Sequence, residues 1–351
     1  MINVVFICDN NYALPTRTAI NSLKKTQSSK LCIYVIAVDL SIENINLFNS
    51  LSSENITVKV LQKSNEFQNV GENHPYVSKA ALFKFFLPSM IKEDKVLYLD
   101  GDIIVGAELD DLYGCNIQRY YAAVVKDMAG MIAGHHEKMN HESYFNSGVM
   151  LLNLKKMRQE NTADKLLKAK KEDVWKHFMD QDTLNLVFAE KVKYLSPKYN
   201  FMLGNMLTYK YEQIADFYGV SVKEIMSPVI WHLTNYLKPW DDINSFMSEL
   251  WLRYVIPEDI KYILGNYCKS LSSKLEMLAQ QQEVLMKKQD MLMKKQDMQI
   301  QKNSRRLFKC IQQNNKYAIY ILGCPIYKEK EDKIYIFGVL MWNHRWFKEN
   351  R

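Results

Sequence analysis

KVLYLDGDIIV, residues 95–105, is an apolar run that stops on Asp100-Gly101-Asp102 and then turns apolar again. Val96, Leu97, Tyr98 and Leu99 leave no polar alternate, which is the pattern of a strand covered on both faces. Alternate residues of an extended chain point to the same side, and Gly101 between the two aspartates eases the bend, so both carboxylates can meet one cation. Two carboxylates with few other protein ligands suit a hard divalent ion held largely through substrate phosphates. Asp-Gly-Asp is also ordinary turn chemistry, so the triplet by itself leaves both readings open.

Outward from this run, NVVFIC (3–8), LCIYVIAV (31–38), ITVKVL (56–61), YYAAVV (120–125) and SGVMLLNL (147–154) read as further strands. Helix-length patterns at 14–26, 41–52, 76–91 and 159–171 lie between them. That alternation predicts an α/β domain with a partly parallel sheet, in which ligands gather at the carboxyl ends of strands. VVFICDNNY and KVLYLDGD, each passing from apolar to polar at a strand end, are therefore the segments to inspect. Neither GxGxxG nor GxxxxGK[ST] occurs, which removes the usual sequence warrants for a dinucleotide site or a P-loop.

The 351 residues are 48% hydrophobic and 24% charged, which excludes wholesale disorder. The net charge of +7 is unevenly placed: residues 271–351 hold 16 basic and 8 acidic residues, and the first 270 hold 30 and 31. A neutral body with a basic tail does not fit nucleic acid, for which no recognised module is present. Six cysteines with no CxxC spacing fit a reducing compartment. The opening MINVVFICDNN reads as a first strand, not a secretion signal, and no run of 18 apolar residues predicts a spanning helix.

His232 follows the apolar run PVIW and opens HLTNYLKPW, with Lys238 six residues on. One loop can thus carry an imidazole ligand and a phosphate-facing ammonium, and imidazole beside carboxylates shifts preference from magnesium toward manganese.

VVFICDNNY, KVLYLDGDIIV, FNSGVMLLNL, DQDTLN and HLTNYLKPW, in that order over residues 2–245, resemble glycosyltransferase family 8, in particular the bacterial lipopolysaccharide and lipooligosaccharide galactosyl- and glucosyltransferases. The resemblance implies a glycosyltransferase A-type fold over residues 1–262, a UDP-glucose or UDP-galactose donor, retention of anomeric configuration and Mn2+, with Mg2+ as the alternative ion. On that resemblance Asp100, Asp102 and His232 are the metal ligands, and Lys238 holds the diphosphate. Tyr12 stacks on uracil, Asp9 accepts its imide hydrogen, and Asn11 and the Ile7 backbone complete the base site. Asp127 and Asn146 lie around the donor sugar, and Asp180 and Gln181 beneath its reactive face.

Two positions depart from the family pattern: Asn235 stands where glycine is usual, and Lys84 where an arginine bridging diphosphate and sugar is expected. Lysine keeps the charge and loses the bidentate fork, so either the diphosphate is held more loosely or Lys79 and Lys238 share that work. An amide is a poor nucleophile, which favours attack by the acceptor hydroxyl from the leaving-group face, with Gln181 as electrostatic support. Asp180 alternatively serves as the nucleophile, or caps the helix that starts at DTLNLVF. The implied setting is a lipid-linked or oligosaccharide acceptor at the inner, cytoplasmic face of a membrane. A protein or glycogenin-like acceptor, and a non-catalytic glycan-binding or scaffolding role, are the alternatives.

Residues 263–314 read as a long amphipathic helix in which Leu278, Leu285 and Leu292 repeat every seven residues, flanked by Met277, Val284 and Met291 and by Met286 and Met293. The apolar positions are adjacent, so a conventional a/d seam is not expected beyond two or three heptads. Packing on the body, on a second copy as a homo-oligomer, or on a membrane surface stays open. Residues 315–351 are basic and aromatic, with apolar blocks at 318–327 and 334–342, and suit a hairpin, two small helices or peripheral attachment to an anionic membrane.

Overall fold

The computed structural model describes residues 1–64, 79–139, 141–172, 179–234, 237–242 and 244–303, and four strands between residues 318 and 343. The chain divides into two compact units, Met1–Cys268 and Lys269–Arg351.

The first unit is built on ten strands: β1 Ile2–Cys8, β2 Leu31–Val38, β3 Ile56–Lys63, β4 Lys95–Leu99, β5 Ile103–Val105, β6 Ala122–Lys126, β7 Phe145–Asn153, β8 Val192–Tyr194, β9 Phe201–Met202 and β10 Ile230–His232. Seven form one sheet in the order β3-β2-β1-β4-β7-β6-β8. β1 runs parallel to β2 and β4, β2 parallel to β3, and β7 antiparallel to β4 and β6. The six strands expected from apolar runs are all present. β2 is buried at every residue, because helices and loops cover both faces of the parallel half.

Val4, Phe6 and Cys8 of β1 pack into one core layer with Ile20 and Leu23, while Val5 and Ile7 face a second layer with Tyr98, Phe83 and Phe85. Alternating side chains on one strand therefore serve two cores. A third cluster, with Ile104, Phe201, Trp240 and Trp251, surrounds the small sheet β5-β10-β9. From β1 the chain proceeds to β2 on one side, and β4 lies on the other, so the strand order reverses between β1 and β4. Such a switch point opens a crevice at the carboxyl ends of the two strands.

Helix Ala13–Thr26 leaves that crevice from β1, and Lys24 and Lys25 in its last turn complement the helix dipole. The helix-length pattern at 76–91 resolves differently from expectation: Lys79–Phe86 is a 3-10 helix and Leu87–Met90 a single α turn. Pro88 lacks an N–H and disfavours helical geometry in the residue before it, so one continuous α-helix cannot form there.

Helix Pro257–Asn303 begins in the first unit. Its first turn is fixed by Asp259, whose carboxylate takes a bidentate pair from Arg17, Nη2 to Oδ1 at 2.6 Å and Nε to Oδ2 at 2.9 Å, with both side chains buried. Asn44 adds an acceptor to the same guanidinium at 2.7 Å, and Ile263 and Tyr267 join the third core cluster. In the second unit, Ala318–Ile321, Cys324–Lys330, Lys333–Ile336 and Val339–Asn343 form an antiparallel four-stranded meander. The two apolar blocks thus contribute to strand pairs, and Lys328, Glu329, Lys330 and Lys333 of KEKEDK lie in the two middle strands. Arg345, Trp346, Phe347 and Lys348 lie outside the described residues. Among the described residues no helix is long and apolar enough to cross a membrane.

Candidate active site

β4 ends at Leu99, and the Asp100 amide donates to the Gly148 carbonyl at 2.8 Å, so the first aspartate still lies in the sheet beside β7. β5 follows at once and pairs antiparallel with β10, placing His232 opposite Ile103. The Leu233 amide donates to the Asp102 carbonyl at 2.9 Å and ties the histidine loop to the aspartate turn. Asp100, Asp102 and His232 consequently bring one ligand atom each within 4.8 Å of one another. His232 Nε2 lies 3.3 Å from Asp102 Oδ1 and 3.9 Å from Asp100 Oδ2.

The histidine is oriented from behind. Its Nδ1 faces Asn200 Oδ1 at 2.9 Å, and Asn200 Nδ2 donates to Asn146 Oδ1 at 2.9 Å. Since the Asn200 amide group is spent as donor toward Asn146, its oxygen accepts from Nδ1–H, and the Nε2 lone pair is left facing the carboxylates. Two carboxylates and one imidazole nitrogen form a donor set that fits a divalent cation. Asp102 and His232 are buried. Burial alone would raise the Asp102 carboxyl, but the neighbouring Lys238 ammonium outweighs it and holds that group well below the usual carboxylate range. Lys238 Nζ donates to Asp102 Oδ2 and to the Leu233 carbonyl, each at 2.7 Å.

Space explains two glycines. A Cβ on Gly148 would meet His232 Cε1 at 2.3 Å and Asp100 Oδ2 at 2.8 Å, so only glycine lets β7 pass beneath the cluster. A Cβ on Gly101 would meet Thr16 Oγ1 at 2.4 Å. Gly101 is not among the positive-φ residues, so close approach of helix Ala13–Thr26, and not a left-handed bend, is what requires glycine there.

The loop after β1 reaches the same crevice. Ile7 is the buried penultimate residue of β1, and Asp9 Oδ1 accepts from the Asn11 amide at 3.0 Å and the Tyr12 amide at 3.2 Å. Asn11 is exposed. The Tyr12 ring meets Trp240 edge-on with centroids 5.9 Å apart. Burial, reinforced by Asp102 and Asp100, pushes the Tyr12 phenol far up, so this aromatic pair borders the carboxylate cluster. Trp231, the other tryptophan of the loop, packs edge-on against Phe201 behind β10.

Asp127, Asn146, Asp180 and Gln181 form one buried network beside the cluster. Gln181 Nε2 donates to Asp127 Oδ2 at 3.0 Å, and its Oε1 accepts from the Ser147 amide at 3.0 Å and Asn146 Nδ2 at 3.2 Å. Asp127 also caps the turn Met128–Ile132 through the Gly130 amide at 2.9 Å. Asp180 does not cap its helix: the helix Met179–Phe188 already contains it, and its Oδ2 accepts from Lys84 Nζ at 2.6 Å and Ser147 Oγ at 3.0 Å. Lys84 is buried between Asp180 and Asp100 Oδ1, the latter at 3.3 Å, and over the Tyr98 ring. Burial would lower the Lys84 ammonium, but Asp100 and Asp180 reverse the direction and raise it.

The site residues named from sequence thus lie in one continuous region, linked through Asn146–Asn200–His232 on one side and Asp180–Lys84–Asp100 on the other. Asn235 lies outside the described residues. His135, His136 and His141 join no group of three or more ligands among the described residues. Asn200 and Ser147 were not foreseen; Asn200 becomes legible only when β9 pairs parallel with β10 and His232 stands opposite Met202.

The acidic pair at the end of β4 and the histidine from the second small sheet meet at the β1/β4 switch point of a fold of the glycosyltransferase A type. The solved structure of galactosyltransferase LgtC, 24% identical, matches it with a TM-score of 0.66 over 75% of this chain and 100% of that one. The chain belongs to glycosyl transferase family 8, whose model matches residues 3–244. Glycosyltransferase GlyB of Streptococcus pneumoniae serotype 4 is 31% identical over 263 residues, 73% of this chain and 62% of that protein. The lipopolysaccharide 1,2-glucosyltransferase of Escherichia coli is 29% identical over 272 residues, 72% of this chain and 77% of that protein. This chain spans less than two thirds of GlyB.

Proposed function

We propose that this chain is a retaining glycosyltransferase that moves glucose or galactose from UDP-glucose or UDP-galactose to a lipid-linked or oligosaccharide acceptor of a bacterial surface glycan. The observation that carries the reading is the convergence of Asp100, Asp102 and His232 within 4.8 Å beside the Asp9–Tyr12 loop. Family membership and the likeness to a lipopolysaccharide glucosyltransferase support it.

Mn2+, when bound by these three residues, neutralises the donor diphosphate and stabilises charge on the leaving phosphate. Tyr12 and Trp240 give the uracil an aromatic wall, and Asp9 orients the base. Lys238 places a cation where the departing β-phosphate oxygen gains charge. Gln181 already accepts two N–H groups on its amide oxygen, which leaves it a poor nucleophile and a fixed dipole under the sugar. The Asp180 carboxylate is compensated by Lys84 and Ser147, which likewise lowers its nucleophilicity. The acceptor hydroxyl therefore attacks from the leaving-group face, and its proton passes to the departing phosphate oxygen.

UDP release from UDP-glucose and UDP-galactose, measured with and without Mn2+ and for Asp102→Asn, tests this. Removal of the ion or of the carboxylate charge is expected to lower the rate by about 100-fold or more. Release that persists unchanged in either case defeats the proposed chemistry. The excess of basic residues in 271–351 supports peripheral association at the inner face of the cytoplasmic membrane. Full-length protein should sediment with phosphatidylserine vesicles at low salt and be released at high salt; no binding at low salt counts against it.

A further inference from the structure

Helix Pro257–Asn303 carries leucine at 264, 271, 278, 285 and 292. The spacing is strictly seven, and each of the five is between 45% and 57% exposed. Extending the line back to Leu264 also brings in Cys268 and Leu275, which stand at a second heptad position in the first half of the helix. With the leucines at d, position a holds Cys268, Leu275, Gln282 and Gln289. A strict seven-residue line drifts by about 20° per heptad around a straight helix, and stays on one contact only when two helices supercoil.

We propose that this helix forms a parallel, in-register coiled coil with the same helix of a second copy of the chain. Its direction follows from the a positions. Parallel packing layers a on a and d on d, so Gln282 and Gln289 each meet their own counterpart, and two amides satisfy one another as donor and acceptor. Antiparallel packing layers a on d and sets Gln282 against leucine, where burial strips its amide of water.

The flanking positions agree. Position g holds Lys274, Gln281, Lys288 and Lys295, and position e holds Ser272, Ala279, Met286 and Met293. Parallel packing brings g against e, so lysine stems lie over alanine and methionine while the ammonium groups stay in water. Antiparallel packing brings g against g and opposes lysine with lysine. A lipid surface is the poorer occupant, since Gln282 and Gln289 stand only about 40° around the helix from the leucine line and would enter the apolar layer with it.

Sedimentation velocity of the full-length protein at 20 to 50 μM tests the proposal. The expected species has twice the chain mass of 41.3 kDa. Leu278→Asp combined with Leu285→Asp is expected to run at the chain mass with an unchanged melting temperature of the body, since both side chains are exposed on the helix. Oxidation with diamide reads the direction: Cys268 at position a should give a covalent dimer that is lost in Cys268→Ser. A wild-type protein that is monomeric at these concentrations overturns the proposal, as does a leucine double variant that remains dimeric. A dimer that forms no Cys268-dependent cross-link overturns the parallel register.

Discussion

His232 Nδ1 and Asn200 Oδ1 are 2.9 Å apart, both side chains are buried, and this hydrogen bond leaves Nε2 as the nitrogen that faces Asp100 and Asp102. A histidine ligand whose far nitrogen is held has a fixed tautomer and ring plane, and loss of such a partner costs about 10- to 100-fold in metal affinity. Asn200→Ala is therefore expected to weaken Mn2+ binding by that factor while His232 stays in place. Calorimetric titration of the full-length protein with Mn2+ alone measures it, and an unchanged affinity would remove Asn200 from the metal site.

Lys84 is a buried cation with two buried or half-buried anions, Asp180 at 2.6 Å and Asp100 at 3.3 Å. Its removal leaves both carboxylates facing one another across the space it filled. Lys84→Ala should destabilise the fold by about 3 kcal/mol, the usual cost of leaving a buried charge uncompensated. Adding Asp180→Asn should recover part of that loss, because the uncompensated charge is then gone. Urea denaturation of the two single variants and the double variant measures the coupling, and strictly additive losses would show that the pair is not an energetic unit.

The sheet and the aspartate pair were legible because their signals are local, an apolar run stating a strand and Asp100-Gly101-Asp102 its own turn, whereas His232 was joined to them only by the family resemblance. Six of the seven strands in the first 154 residues lie where apolar runs place them, and β5 is the one added. What sequence did not disclose depends on pairing between distant segments. Asn200 matters only because β9 lies beside β10, and Lys84 takes its buried place only because a 3-10 helix carries it to Asp180, 96 residues away. Gly101 was read as a conformational requirement and is a steric one, since the approach of Thr16 cannot be seen from position 101 alone. The leucine line starts at Leu264, ahead of the MKKQDM repeat, because the helix begins at Pro257.

Tyr267, on the third turn of helix Pro257–Asn303, donates its hydroxyl to the Pro239 carbonyl, between Lys238 and Trp240. The helix thereby positions the segment that carries Lys238 and Trp240. Tyr267→Phe removes one buried hydrogen bond, worth about 1 kcal/mol. If that energy holds Lys238 and Trp240 in place, UDP affinity should fall about fivefold. Fluorescence titration with UDP measures this. A stability loss with unchanged UDP affinity would assign Tyr267 a purely structural role.

Cys8 closes β1 immediately before Asp9 and is buried, whereas Cys268 is exposed on the helix. Burial pushes the Cys8 thiol from its ordinary value of 9.0 up to about 12, against a small opposing effect of Thr16. The reactive species is the thiolate, so at pH 8 iodoacetamide should spare Cys8 in the folded protein. The sign of the linkage follows from the raised value. The folded state keeps its proton where the unfolded chain has lost it, so the contribution of Cys8 to stability is complete below about pH 9 and is lost as pH rises toward about 12. Cys8→Ala should flatten that alkaline decline in a pH series of urea midpoints. Peptide mapping after labelling at pH 8 checks the first half of the argument, and rapid modification of Cys8 in folded protein would mean that the end of β1 opens to solvent.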